Sequence, residues 1–121
     1  MDTMISILIY MIICLQTAFM LIEIFLWNTA TGRKLFRMDE SYAKRSASLA
    51  ANQGLYNGFL AAGLLWALLG TGGNDAFVFF LSCIIIAGIY GAITATRTIL
   101  WIQALPAAIA LGLLLLNTEN I

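Results

Sequence analysis

The fold is decided by the stretch AFVFFLSCIIIAGIYGAITATRTILWIQALPAAIALGLLLL (76–116), which is apolar for 41 residues apart from one short polar point. As one helix it would be about 60 Å long, which is twice the roughly 30 Å hydrocarbon thickness of a bilayer. The chain therefore has to turn within the stretch. The polar point TATRT (94–98) marks the turn, and it predicts two membrane spans at 76–96 and 98–116 joined by a very tight connection.

The composition excludes an ordinary water-soluble domain. The chain has 121 residues, of which 62% are hydrophobic and 10% are charged, whereas a globular chain is about half apolar and about a quarter charged. A chain this apolar must span a membrane as helices or as a closed barrel, because hydrocarbon offers no partner to exposed backbone groups. A barrel needs alternating segments of about ten residues, and the apolar runs here are continuous. We therefore predict an all-α fold and a single transmembrane domain over residues 1–121.

Two further spans precede the long stretch. Residues 3–27 and 47–69 are each long enough to cross a bilayer, which takes about 20 apolar residues. Between them lies the polar segment 28–46, which we predict to be a loop at the membrane surface, with Asp39 or Ser41 capping the next helix. The predicted architecture is a four-helix transmembrane bundle.

The basic residues fix its orientation, since Lys and Arg in short loops stay on the cytoplasmic side. All six lie in the first loop or in the third connection: Arg33, Lys34, Arg37, Lys44, Arg45 and Arg97. The N-terminus, the GTGGND turn (70–75) and the C-terminal residues 117–121 contain none. The predicted topology is N-out and C-out in the cell membrane. The net charge of zero gives no reason to expect a nucleic-acid partner.

With this orientation, the polar residues within the spans lie near the bilayer midplane or in its cytoplasmic half. Polar groups are costly toward lipid and usually face a bundle interior or a wet cavity. Several of them share a helix face by their spacing of three, four or seven residues, and Pro106 loosens the fourth span at the same depth. We predict a polar pocket open to the cytoplasm and a dry outer half. The predicted ligand-binding set is Glu23, Asn52, Gln53, Tyr56, Asn57, Tyr90, Arg97 and Gln103, with Gln16 near the midplane and Phe19, Met20, Leu60 and Trp101 as apolar lining.

Each of these features also has a purely structural explanation. The amides can bond helix to helix as packing contacts, and Arg97 can extend its charge to the interface from the end of a span. Gly54 and Gly58 form a GxxxG pattern that suits either close packing within the chain or a homodimer. Glu23, as an ionisable residue within a span, has the strongest functional claim, and we expect it to pair with Arg97 or with the amides of the second span. Cys14 and Cys83 lie in apolar runs with no CxxC pattern, so no metal or cofactor is predicted.

Four segments together carry a family resemblance: FMLIEIFLW (19–27), ANQGLYNGFLAAGLLW (51–66), AGIYGA (87–92) and QALPA (103–107). They resemble the domain-of-unknown-function family 1304, which consists of small, mostly bacterial membrane proteins. The resemblance covers almost the whole chain. It implies a multi-pass membrane protein and supplies no mechanism, so the candidate residues depend on the physical argument alone.

Three functions fit these residues. The first is binding or transport of a small amphipathic molecule in the polar pocket. The second is a membrane-embedded enzyme acting on a lipid or isoprenoid, with Glu23 as acid or base. The third is an accessory subunit of a larger membrane complex, in which the polar faces would satisfy one another or the partner and leave no cavity.

Overall fold

The computed structural model describes residues 2–95 and 98–118, together with the side chains of residues 2–94 and 101–117. These residues form helices joined by short turns, and no strand occurs among them. The elements in chain order are α1 (Thr3–Leu21), a π-helical segment (Ile22–Leu26), α2 (Ala30–Leu35), α3 (Glu40–Leu69), α4 (Gly73–Ala95) and α5 (Thr98–Thr118). The prediction of an all-α fold is confirmed.

Side-chain caps define where three of the helices begin. The Asp2 carboxylate accepts from the Met4 backbone N–H at 3.3 Å, and the Thr29 hydroxyl accepts from Gly32 N–H at 3.3 Å. Asp39 accepts from Tyr42 N–H at 2.7 Å and so caps α3. A cap of this kind satisfies one of the backbone donors that a helix start leaves unpaired.

The polar segment 28–46 is more ordered than the predicted surface loop. Its first half contains α2, and its second half is the beginning of α3, which starts at Glu40, more than one turn before the predicted span at 47–69. Asp39, one of the two capping residues expected from the sequence, caps this start. Between the two helices, Arg37 adopts a positive φ of 54° and turns the chain.

The four long helices contact one another in a closed ring. α1 packs against α3, α3 against α4, α4 against α5, and α5 against α1. Within the long apolar stretch, α4 ends at Ala95 and α5 begins at Thr98, on either side of the polar point, and the two helices pack against each other. Residues 96 and 97 of the connection lie outside the described part of the chain.

One end of the ring is filled by an apolar core. The core draws on all four long helices and comprises Ile5, Ile9, Ile12, Leu64, Ala67, Ala76, Phe77, Leu81, Ile84, Ala107, Ala110 and Leu114. It lies beside the turn between α3 and α4, where Gly63 leaves room for the ring of Phe80. The buried polar side chains in the described residues lie elsewhere: Gln16, Glu23 and Gln103.

Two helical segments are long and apolar enough to cross a membrane. They are Thr3–Leu26 and Gly73–Thr94, and the shorter segment Trp101–Asn117 is also apolar. α3 is longer than either, but Asn52, Gln53 and Asn57 interrupt its apolar sequence. The helix that contains four of the eight predicted site residues is therefore the one with the weakest hydropathy signal among the long helices.

Candidate functional site

A cleft of about 670 Å³ lies in the half of the helix ring away from the apolar core. α1, the π segment, α3, α4 and α5 all contribute to its walls. Seven of the eight predicted site residues line it: Glu23, Asn52, Gln53, Tyr56, Asn57, Tyr90 and Gln103. The eighth, Arg97, lies outside the described residues. The residues that were selected by spacing and depth therefore come from four helical segments and line the same cleft.

Glu23 is the most buried of the polar side chains that line the cleft, with 3% of its surface exposed. Its Oε1 accepts a hydrogen bond from Asn57 Nδ2. The approach is close because Gly54, one turn before Asn57, has no side chain; a Cβ there would lie 3.0 Å from Glu23 Cβ. Of the two partners predicted for Glu23, an amide of the segment 47–69 is confirmed.

The π segment explains why Glu23 and its neighbours share one face. In an α-helix, residues four apart drift around the axis, because a turn holds only about 3.6 residues. A π turn holds more residues and offsets that drift. Phe19, Glu23 and Trp27 are consequently all buried and all line the cleft. π turns of this kind are frequent at functional sites, and the sequence pattern gave no sign of this one.

An aromatic cluster formed by Phe19, Trp27 and Phe36 lines the cleft beside α2. The Phe36 ring centroid lies 5.0 Å from that of Trp27 and 6.2 Å from that of Phe19. Trp27 Nε1 donates to Ser46 Oγ at 2.9 Å, which ties the cluster to α3. Sequence reasoning missed Trp27, Phe36, Tyr42 and Ser46 as lining residues. The one signal available was the apolar pair Leu35-Phe36 within an otherwise basic segment.

The expected apolar lining is found in part. Phe19 and Leu60 line the cleft, whereas Met20 and Trp101 are not among its lining residues. Met20 packs instead against α3, where its Sδ would lie 2.6 Å from a Cβ at Gly58. Gly54 and Gly58 therefore serve close packing of α3 on α1 within the chain, which was one of the two explanations for the GxxxG pattern.

Gln16 lies apart from the cleft lining, although it was expected on the same helix face as Glu23. Its side chain is 1% exposed. In the described part of the chain no donor lies within hydrogen-bond distance of its Oε1. A buried acceptor without a donor costs stability.

The floor of the cleft can accept and donate hydrogen bonds, while its walls are largely apolar and aromatic. Glu23 and Gln103 are the buried polar side chains of the lining, and Asn57 bonds to Glu23. Sites for small molecules commonly combine a mostly apolar lining with a few convergent polar groups. The arrangement is suited to a molecule that has a polar head and an apolar body.

Comparisons with known proteins place the chain within one family. The family model described as "Protein of unknown function (DUF1304)" matches residues 10–115. A protein described as "Uncharacterized protein YpaA" from Lactococcus lactis subsp. lactis (strain IL1403) is 29% identical over 113 residues, which cover 90% of this chain and 95% of that protein. No solved structure matches the chain significantly.

Proposed function

The chain belongs to the DUF1304 family, and we propose that it is a multi-pass membrane protein that binds or transports a small amphipathic molecule. The single observation that carries the proposal is the buried Glu23 at the floor of a cleft in one half of the helix ring. Ionisable residues inside membrane segments are rare and costly, and they commonly mark a substrate or ion pathway.

In this proposal the four long helices form an N-out and C-out transmembrane bundle in the cell membrane. The basic side chains Lys34, Arg37, Lys44 and Arg45 are exposed on the cleft side of the ring, where the positive-inside rule puts the cytoplasm. The apolar core occupies the opposite half and closes the bundle toward the outside. The cleft then faces the cytoplasmic half of the bilayer.

The volume of the cleft favours binding over an accessory role. An accessory subunit would satisfy its polar faces internally or against its partner and would need no open space. A cleft of about 670 Å³ lies within the range of about 300–1,000 Å³ that is usual for small-molecule sites. The enzyme hypothesis uses the same Glu23 as acid or base, and turnover of a bound lipid or isoprenoid would favour it.

A topology experiment tests the membrane part of the proposal. In a background without Cys14 and Cys83, a cysteine at Asn74 should react with a membrane-impermeant maleimide on intact cells. A cysteine at Lys44 should react only after the membrane is opened. The reverse pattern would contradict the proposed orientation, and equal labelling of both sites in intact cells would contradict a spanning protein.

A binding experiment tests the site. Small amphiphiles are titrated into the purified protein while tryptophan fluorescence is recorded, since Trp27 lines the cleft. Glu23→Gln and Asn57→Leu should weaken binding although both variants keep their helical circular dichroism. Asn74→Leu, a matched change at the far turn, should bind as the parent does. Unchanged binding in both cleft variants would overturn the assignment of the site.

A further inference from the structure

The exposure of the cleft residues is strongly unequal among the helices. The lining residues from α1 and its π segment are buried, as is Gln103 of α5. The lining residues from α3 and α4 include the exposed ones: Leu49 at 74%, Tyr56 at 59% and Tyr90 at 70%. The cleft therefore has its floor on the α1 and α5 side and its mouth between α3 and α4.

The mouth opens along the side of the ring and not only at its end. Leu49 and Tyr56 lie well inside α3, and Ala87 and Tyr90 lie within the segment Gly73–Thr94 that is apolar enough to cross a membrane. Toward the opposite end, the packing of Gly63 on Phe80 brings α3 and α4 together. α3 and α4 thus meet at their connecting turn and leave the cleft open between them farther along.

From this geometry we infer that the cleft admits its ligand sideways from the inner leaflet, between α3 and α4, and that the ligand is a membrane-dissolved amphiphile with a hydroxyl-bearing head that carries no negative charge. This inference rests on the proposed function, because the mouth faces lipid only if α4 crosses the bilayer. The apolar chain of the ligand lies against Leu49, Tyr56 and Tyr90. Its head reaches the floor at Glu23, Asn57 and Gln103.

The head-group chemistry follows from the floor. Carboxylate and amide oxygens accept hydrogen bonds from hydroxyl groups, and a buried carboxylate repels a second negative charge where the local dielectric is low. A phosphate or carboxylate head is therefore disfavoured beside Glu23. A lateral entrance also accounts for Asn52 and Gln53, which are exposed on the same stretch of α3. Their amides would otherwise face hydrocarbon without partners, at a cost in free energy.

Heavy-atom quenching of Trp27 tests the entrance directly. Trp66→Phe and Trp101→Phe leave Trp27 as the single tryptophan, and the protein is placed in lipid nanodiscs. The probe is a monoacylglycerol brominated on its acyl chain. It should quench Trp27 saturably, and bulk phosphatidylcholine with the same brominated chain should quench far less. Glu23→Gln should weaken the monoacylglycerol effect by about tenfold, as expected for one hydrogen bond to a charged group.

Two matched substitutions on α4 separate the entrance from general effects on the bilayer. Ala87 is exposed and lines the mouth, so Ala87→Phe should block it and abolish the saturable quenching. Ile86 is exposed next to it but does not line the cleft, and Ile86→Phe should leave the quenching unchanged. Quenching that is identical in both variants, or identical for the two brominated lipids, would overturn the lateral entrance. If a second copy of the chain covered this face, the brominated lipid would not quench Trp27. That result would overturn the lateral entrance as well.

A water-soluble probe distinguishes failure of this inference from failure of the proposed function. 6-Bromohexanol added from the aqueous side carries the same hydroxyl head. If it quenches Trp27 in a manner that depends on Glu23 but not on Ala87→Phe, the cleft binds amphiphiles and the lateral entrance is wrong. If neither probe gives quenching that depends on Glu23, both the inference and the proposed function fall.

Discussion

Asn57 of α3 donates a hydrogen bond from its side-chain amide to the Glu23 carboxylate across 34 positions of the chain. The bond joins the π segment to the middle of α3 at the floor of the cleft. It depends on Gly54, whose missing side chain lets the two helices approach. One contact therefore links helix packing to the chemistry of the site.

The first prediction concerns the acceptor in this bond. Glu23→Ala leaves the Asn57 amide without the acceptor and should lower the free energy of unfolding by about 1–3 kcal/mol. Glu23→Gln keeps an oxygen in the same place and should lower it less. Thermal unfolding in detergent, followed by circular dichroism, measures both. The same two substitutions at exposed Glu40 serve as the control. Equal melting temperatures of both Glu23 variants and the parent would count against a paired carboxylate.

The second prediction concerns close packing of α3 on α4. A Cβ at Gly63 would overlap the Phe80 ring, so Gly63→Ala should destabilise the protein by about 1–3 kcal/mol through overpacking. Gly112 has open space around its Cβ position. Gly112→Ala should be neutral or stabilising by up to about 1 kcal/mol, because alanine favours the helix. Chemical unfolding of the two variants side by side gives the comparison, and similar effects at both sites would refute the packing argument.

The third prediction concerns Gln16 on α1, whose Oε1 has no hydrogen-bond donor among the side chains that the structure describes. Gln16→Met keeps the side-chain length and removes the buried Oε1, so it should stabilise the protein by about 1–3 kcal/mol. Gln53→Met, at an exposed position, should change stability little. Both are measured as shifts of the thermal midpoint. A clear loss of stability in Gln16→Met would mean that a buried water supplies the donor.

The fourth prediction concerns the start of α3. Asp39→Ala removes the side chain that accepts from Tyr42 N–H and should cost about 1 kcal/mol, the usual value for an N-cap. Ser41→Ala, at the other capping residue considered from the sequence, should change stability by only a few tenths of a kcal/mol, and toward greater stability, because alanine is the better helix former. Amide hydrogen exchange at Tyr42 reports the local effect. Faster exchange in Ser41→Ala than in Asp39→Ala would show that Ser41, and not Asp39, caps the helix.

Hydropathy and helical spacing predicted the helices and most of the cleft, because both depend on local sequence. α4 ends at Ala95 and α5 begins at Thr98, on either side of the polar point, and Glu23, Asn57, Tyr90 and Gln103 line one cleft. Tertiary contacts determined the rest. Phe36 folds back onto Trp27 from a basic segment, and Met20 packs on Gly58 rather than lining the cleft. Neither contact leaves a periodic trace in the sequence.

The π turn at Ile22–Leu26 fixes the angular register between the two ends of the first helical segment. It differs from an α turn by accommodating one more residue. Excising a single residue within the π turn should therefore convert it to an α turn and leave α1 in nearly the same angular register. Excising a residue between Ile12 and Phe19, in the regular helix, would instead rotate the N-terminal part of α1 by about 100° relative to Glu23. The isoleucine face of Ile5, Ile9 and Ile12 would then leave the core while Glu23 stayed in place. Alignments of related chains should therefore show single-residue gaps at the π turn rather than within α1.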